Sequence, residues 1–267
     1  AIVRPGDWNW GDWGEHVDLG VLTNCWYYLA LEAERAFAIQ LGKMADVERI
    51  DRMMRDLAGN FDERYWTGRA YRSPDYEGQT DDRAQAMAVV SGLASKDKYP
   101  ALLKVLREEE HASPYMEKYV LEALFRMEEP DEAFDRMRRR YKKMLSYDEY
   151  TTLFEGWGIG AEGFGGGTTN HAWSGGPLTL LSQKVCGIEP TSPGFHSFRV
   201  APMMGSLREA SATVDTRYGL IQVSLEKKGN RIGMVLVVPE GTRAEVPVAK
   251  GRVEYFNPGR HELMINK

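Results

Sequence analysis

The chain has 267 residues, of which 43% are apolar and 27% charged, and its formal net charge is −5. This composition is typical of a globular protein with one large domain or two of modest size. The longest apolar runs fall far short of the roughly 20 residues that cross a bilayer, and an acidic chain offers no basic face for nucleic acid. We therefore expect neither a membrane nor a nucleic-acid partner.

The first two thirds of the chain have helical apolar spacing. Apolar residues at steps of three and four, with their start and stop signals, predict helices over residues 17–42, 46–57, 80–94, 99–110, 114–127, 131–145 and 170–185. Asp46 is the expected N-cap of the second helix. Ser113-Pro114 and Pro130-Asp131 supply further starts, because proline is tolerated in a first turn. Short connectors favour antiparallel helical hairpins.

The pattern changes after Pro193. Short segments with β-branched residues, separated by turn residues, predict strands over 195–202, 209–216, 219–229, 231–241 and 252–265. All seven tryptophans precede residue 174. The sequence thus predicts a multidomain α+β protein, with a helical domain over 1–190 and a small antiparallel β-sandwich over 191–267.

The opening segment, residues 6–15, is rich in glycine, tryptophan and carboxylates. Asp7, Trp8 and Trp13 lie in it. An indole ring can cover the apolar face of a sugar while carboxylates accept hydrogen bonds from its hydroxyl groups. Alternatively, the tryptophans of a folded loop simply fill the core.

Residues 150–176 form the most informative segment. Glu155 and Trp157 precede a glycine-rich loop, and His171 and Trp173 follow it. A carboxylate between aromatic residues is a plausible general base, because local desolvation can tune its pKa. His171 either lies in the core or bonds a substrate hydroxyl, and its place beside the loop favours the second interpretation.

Other polar groups have ordinary structural interpretations. The histidines lack metal-ligand spacing, so we assign no metal and no cofactor. Cys25 and Cys186 are expected to be buried thiols. Asp81 and Asp82 are expected to complement a helix dipole, and the basic run at 136–140 is expected to be a solvated helix face.

Three motifs together resemble a known family. They are GDW before a long helix, TTLFEGW, and TTNHAWSGGPLTLLSQKVCGIEPTSPGFHSFRVAP. The chain resembles the C-terminal half of bacterial α-L-rhamnosidases of glycoside hydrolase family 78, and the block 151–202 is the most specific part. The resemblance implies an (α/α)6 barrel of six helical hairpins followed by a β-sandwich.

The resemblance also implies an activity, the inverting release of terminal L-rhamnose by two glutamates. Glu155 matches the general base, Trp8 matches an aromatic wall of the sugar pocket, and His171 matches a substrate-contacting histidine. Asp7, Trp157 and Trp173 are expected neighbours of that pocket.

Part of the family pattern is missing from this chain. The family's general acid belongs to a segment upstream of the GDW block, and seven predicted helices are fewer than the twelve of six hairpins. We therefore expect a C-terminal portion of a longer chain, with an incomplete barrel whose apolar faces need a partner. That partner is either the N-terminal part of the same polypeptide or a second copy. The compartment, whether bacterial cytoplasm, periplasm or outside the cell, stays open.

Two other functions remain open at this point. One is a different six-hairpin glycosidase that acts on a glucoside or an unsaturated uronide, for which Arg69, Arg72 and Arg83 are the nearby cationic candidates. The other is a catalytically inactive fragment that binds carbohydrate.

Overall fold

The computed structural model describes residues 10–160 and 167–266. The chain forms two compact units. The first runs to Met127 and includes Asp135–Ser174, and the second comprises Glu128–Phe134 and the chain from Gly175 onward. None of the described helices has the length and apolar character that a membrane span requires.

The first unit is built from helical hairpins. The helices are α1 (Leu19–Gln40), α2 (Met44–Tyr65), α3 (Asp82–Val90), α4 (Tyr99–Glu108), α5 (Pro114–Arg126) and α6 (Pro130–Tyr141), of which α6 belongs to this unit from Asp135 onward. Helix α1 packs against α2, α3 packs against α4, and α3 also contacts both α1 and α5. The predicted helical hairpins are therefore confirmed.

Side-chain caps begin three of these helices. Asp18 accepts a hydrogen bond from the Val21 amide at the start of α1, and Asp81 accepts one from the Arg83 amide at the start of α3. Ser113 caps α5, whose first residue is Pro114. The predicted start at Ser113 is thus confirmed, and Asp81 caps the helix predicted over 80–94, because each side chain accepts from an amide that has no partner within its helix.

Two helix predictions were wrong in detail. Helix α2 begins at Met44 after Lys43, so Asp46 lies in its first turn rather than at its cap. It runs past the predicted end to Tyr65, since Phe61 and Tyr65 continue its buried face. The last predicted helix, 170–185, is instead broken into a 3-10 turn at Ala172–Gly175, a short α7 (Gly176–Leu180) and a π turn at Leu181–Val185.

The second unit contains two four-stranded sheets. The strands are β1 (Ile188–Pro190), β2 (Ser197–Val200), β3 (Glu209–Thr216), β4 (Gly219–Lys228), β5 (Arg231–Val238), β6 (Arg243–Ala249), β7 (Arg252–Phe256) and β8 (Gly259–Asn266). One sheet has the order β1-β2-β6-β7 and the other β3-β4-β5-β8. Ile221, Val223 and Leu225 of β4 alternate with exposed residues and enter one apolar core with Phe198 and Val200 of β2.

Sequence reasoning missed strands β1 and β6 of the first sheet. β6 pairs in parallel with β2, while the other strand pairs in the described residues are antiparallel. A parallel neighbour requires a long crossover, so local turn signals could not reveal this pair. The domain limits 1–190 and 191–267 stay a prediction.

Candidate functional site

The loops before α1, α3 and α5 meet at one end of the helical unit. The amide of Asp18, the cap of α1, donates to the carboxylate of Asp81, the cap of α3, over 2.8 Å. The amide of Ser113, the cap of α5, donates over 2.8 Å to Asp12 in the opening loop. The starts of three helices are therefore held together by buried carboxylates.

Glu155 lies in a loop whose two sides are paired. Its amide donates to the carbonyl of Thr168, and the amide of Thr168 donates back to Oε2 of Glu155, both over 2.9 Å. The His171 amide donates to the carbonyl of Leu153 over 2.8 Å. These bonds bring together two segments that the glycine-rich loop separates in sequence.

The Glu155 carboxylate is accessible from this loop. Its side chain is 20% exposed, and its Oε2 lies 3.8 Å from Nδ1 of His171. No Lys or Arg in the described part of the chain forms an ion pair with it. The carboxylate is thus held in place and is not neutralised by a fixed cation.

An aromatic wall stands beside Glu155. It consists of Trp10, Trp13, Tyr115, His171 and Trp173. The Trp173 indole Nε1 donates to the carbonyl of Glu155 over 3.1 Å, and its ring lies 4.1 Å from that of His171, 5.4 Å from Tyr115 and 6.3 Å from Trp10. Trp13 meets Trp10 edge-on and is 40% exposed.

The aromatic wall unites three predicted site residues, Trp13, His171 and Trp173, with two that sequence reasoning did not select. Trp10 lies within the opening segment, so its tryptophan-rich composition could have identified it. Tyr115 carries no such signal, because it reaches the wall only through the start of α5.

Buried charged side chains hold the opening loop and the start of α5, which carry part of the aromatic wall. Asp12 accepts hydrogen bonds from the Ser113 amide and hydroxyl and from Arg83. Arg83, fully buried, also bonds Asp81 over 2.6 Å. It donates further to three opening-loop carbonyls, those of Trp13, Glu15 and His16. Burial raises the pKa of the Asp12 carboxyl, while the bonds from Ser113 and the charge of Arg83 oppose the rise.

The contacts of Arg83 and Arg72 test the alternative that the site binds an unsaturated uronide. Its guanidinium is taken up by two carboxylates and backbone carbonyls, so it has no free face for a substrate. Arg72 donates to the carbonyl of Gly78 over 2.5 Å and covers the ring of Tyr76. Two of the three cationic candidates for uronate recognition, Arg72 and Arg83, are thus engaged within the protein, whereas Arg69 is exposed.

Trp157 lies apart from the aromatic wall in the contacts of the described chain. Its indole donates to the carbonyl of Ala112 over 2.8 Å, its ring meets Tyr141 edge-on, and Arg140 stacks 4.2 Å from its centre. Its role in sugar contact stays a prediction. Asp7 and Trp8 lie outside the described residues.

The prediction of a solvated basic face was wrong for Arg136. This side chain is 1% exposed and bonds Glu117 and Asp82. Across residues 10–160 and 167–266, no group of three His, Cys, Asp or Glu side chains is placed to hold a metal ion.

Helical hairpins, a following β-sandwich and a carboxylate beside an aromatic wall are features of helical glycosidases with a C-terminal β domain. Residues 3–185 match the family model of the bacterial alpha-L-rhamnosidase six-hairpin glycosidase domain, and residues 187–261 match that of the bacterial alpha-L-rhamnosidase C-terminal domain. The chain belongs to the bacterial α-L-rhamnosidase family.

Individual relatives agree with this assignment. A curated α-L-rhamnosidase of Formosa agariphila is 33% identical over 104 residues, which are 37% of this chain and 11% of that protein. The matched stretch therefore covers about a tenth of the length of this relative.

Solved structures share the fold. That of the α-L-rhamnosidase from Dictyoglumus thermophilum aligns with a TM-score of 0.80 at 18% identity, over 96% of this chain and 34% of that one. The α-L-rhamnosidase of Streptomyces avermitilis, solved with L-rhamnose, aligns with a TM-score of 0.75 at 17% identity, over 98% and 28%. The resemblance to α-L-rhamnosidases noted in the sequence is confirmed.

Proposed function

We propose that the protein to which this chain belongs removes terminal α-L-rhamnose from glycans or glycosides with inversion of configuration. The accessible carboxylate of Glu155 beside the aromatic wall is the observation that carries this proposal. Family membership supports the reaction class, and the relative solved with L-rhamnose supports the sugar.

Glu155 has the features of a general base. The Thr168 amide fixes Oε2, and within the described residues Oε1 has no hydrogen-bond donor, so Oε1 can accept a proton from water. In an inverting glycosidase, the water lies between this base and the anomeric carbon, and the two carboxyl groups stand roughly 6.5–9.5 Å apart. We assign the general acid to a carboxyl outside this chain.

The aromatic wall supplies the sugar contact in this proposal. Indole faces pack against the apolar C–H face of a pyranose, and Trp13 exposes 40% of its surface. His171, in contact with Trp173 and near Glu155, would bond a sugar hydroxyl. We propose Asp7, Trp8 and Trp157 as further contacts on the basis of the sequence pattern.

The remaining barrel hairpins are proposed to come from the N-terminal part of the same polypeptide, with a second copy as the alternative. The chain spans 34% of the Dictyoglumus thermophilum enzyme. Phe37 in the last turn of α1 and Leu41 directly after this helix are 65% and 69% exposed, as expected of a surface that another part covers.

The test is Glu155→Gln in the full-length protein. The amide keeps the size and the hydrogen bond from Thr168 but cannot accept a proton, so turnover of a nitrophenyl α-L-rhamnoside should fall about 10²–10⁴-fold, with rhamnose binding retained. Proton NMR of the wild-type reaction should show β-L-rhamnose as the first product.

Glu149→Gln is the matched control, because Glu149 is an exposed carboxylate just before residues 150–176. It should leave turnover unchanged. Near-normal activity of the Glu155→Gln variant would remove Glu155 from the role of base. Rhamnose binding by the wild-type protein without turnover would instead favour a catalytically inactive carbohydrate-binding protein.

A further inference from the structure

The Thr168 hydroxyl lies between the two polar groups of the candidate site. Its Oγ1 is 3.1 Å from Nδ1 of His171 and 3.4 Å from Oε2 of Glu155. The same residue donates its amide to that Oε2 over 2.9 Å. Thr168 therefore contacts the carboxylate twice and the imidazole once.

Proton counting gives these contacts a direction. A hydroxyl has one hydrogen to donate and lone pairs to accept with, and an ionised carboxylate can only accept. If Thr168 donates to Glu155, its oxygen must accept from a proton on Nδ1 of His171. A bare Nδ1 lone pair would face the negative Oε2 at 3.8 Å, an unfavourable arrangement. The carboxylate thus favours the tautomer that carries its proton on Nδ1.

We propose that Thr168 is a positioning residue that relays a hydrogen bond from His171 Nδ1 through its hydroxyl to Glu155 Oε2. The relay holds the carboxylate in one orientation and leaves Nε2 of His171 as an acceptor for a sugar hydroxyl. This inference rests on the proposed function of Glu155 as general base.

The exposure of Thr168 supports a role in the site rather than in stability. The residue is exposed, so its hydroxyl fills no core, and its backbone bonds to Glu155 do not need the side chain. A nearby threonine serves as a structural counterpart. The Thr152 hydroxyl donates to the carbonyl of Thr169 and ties the same two segments together without touching Glu155 or His171.

The test compares Thr168→Val, Thr168→Ser and Thr152→Val in the full-length protein. Valine keeps the shape and the amide of Thr168 but removes the relay. Loss of a hydrogen bond to a charged group changes an equilibrium or rate constant by roughly tenfold or more. We therefore expect kcat/KM of Thr168→Val to fall by at least about tenfold. The acid limb of its pH profile should move to higher pH, because the charged carboxylate loses a donor. Thr168→Ser keeps the hydroxyl group, so both kcat/KM and the acid limb of the pH profile should stay close to those of the wild type.

Thr152→Val should leave the pH profile at its wild-type position, since it loosens the loop without touching the relay. The inference is overturned if Thr168→Val keeps the wild-type profile, if Thr152→Val shifts it equally, or if serine does not rescue. Thr168→Ala serves as a second relay-free variant should valine disturb the fold. Full activity of Glu155→Gln would refute the proposed function itself, whereas an inactive Glu155→Gln with a silent Thr168→Val refutes only the relay.

Discussion

A buried charge network inside the helical unit allows a quantitative test of what holds it together. Arg136 on α6 donates to both carboxylate oxygens of Glu117 on α5, over 2.7 and 3.0 Å, and to Asp82 at the start of α3 over 2.6 Å. It also bonds the carbonyls of Leu106 and Glu109 over 2.6 and 2.9 Å. All three charged side chains are at most 1% exposed.

Replacing Arg136 with methionine keeps much of its volume but removes all five hydrogen bonds. Burial disfavours the charge of Arg136, yet the neighbouring Glu117 and Asp82 carboxylates raise its pKa. Arg136 is therefore charged in the folded protein, and the substitution removes a full positive charge. Asp82 then remains buried without its ion-pair partner, and Glu117 keeps only the more distant Arg140, 3.7 Å away. Removing one partner of such a pair costs about 3–5 kcal/mol, which in a domain of this size lowers the Tm by roughly 6–20 °C.

The assay is thermal and urea unfolding followed by circular dichroism. Arg138→Met is the control on the same helix, because Arg138 is 64% exposed and pairs with Asp135. An exposed pair of this kind contributes at most about 1 kcal/mol. A triple variant, Arg136→Met with Glu117→Leu and Asp82→Asn, should recover most of the loss, since apolar replacement of a whole buried network is often neutral. A loss below about 1 kcal/mol for Arg136→Met alone would refute the reasoning.

Two further predictions concern the thiols and a glycine. Burial raises the pKa of Cys25 to about 12 and that of Cys186 to about 11, so neither should react with a thiol reagent at pH 8 until the protein is unfolded, because the thiolate is the reactive form. Gly187 has a φ of +78°, and a Cβ there would lie 2.3 Å from the backbone carbon of Ala201. Gly187→Ala should therefore destabilise the second unit by more than the roughly 1–2 kcal/mol of left-handed strain alone.

Each of these predictions has its own comparison. Titration with the thiol reagent in denaturant should detect two reactive thiols per chain. Rapid modification of the native protein would contradict the burial of Cys25 and Cys186. Gly229→Ala shares a positive φ of +63° but meets open space, so it measures strain without a clash. Equal losses in urea unfolding for Gly187→Ala and Gly229→Ala would show that the close approach to Ala201 is unimportant.

Local signals in the sequence determined much of the fold. Side chains that cap a helix act within three residues, and Ser113 with Pro114 therefore begins α5 where expected. Strand β4 alternates buried and exposed residues, because successive side chains of a strand point to opposite faces. The same locality explains the errors, since nothing near Asp46 in sequence reveals that α2 begins two residues earlier.

The candidate site could be predicted only in part. Glu155, His171 and Trp173 lie in one segment whose composition is typical of a sugar site, and the structure brings them together. Tyr115 joins them through packing of α5, and Thr168 through pairing across the glycine-rich loop. Neither contact leaves a pattern in the neighbouring residues.

The sequence by itself determined most of the helices and strands, and it pointed to Glu155 beside the glycine-rich loop as the candidate carboxylate. Only the tertiary structure decided which charges are buried and which strands are neighbours. Arg136 and Arg138 lie two residues apart in one basic run, yet one is 1% and the other 64% exposed. The physical reason is that desolvation and pairing depend on partners, here Glu117 and Asp82, that the chain brings close only when its helices pack.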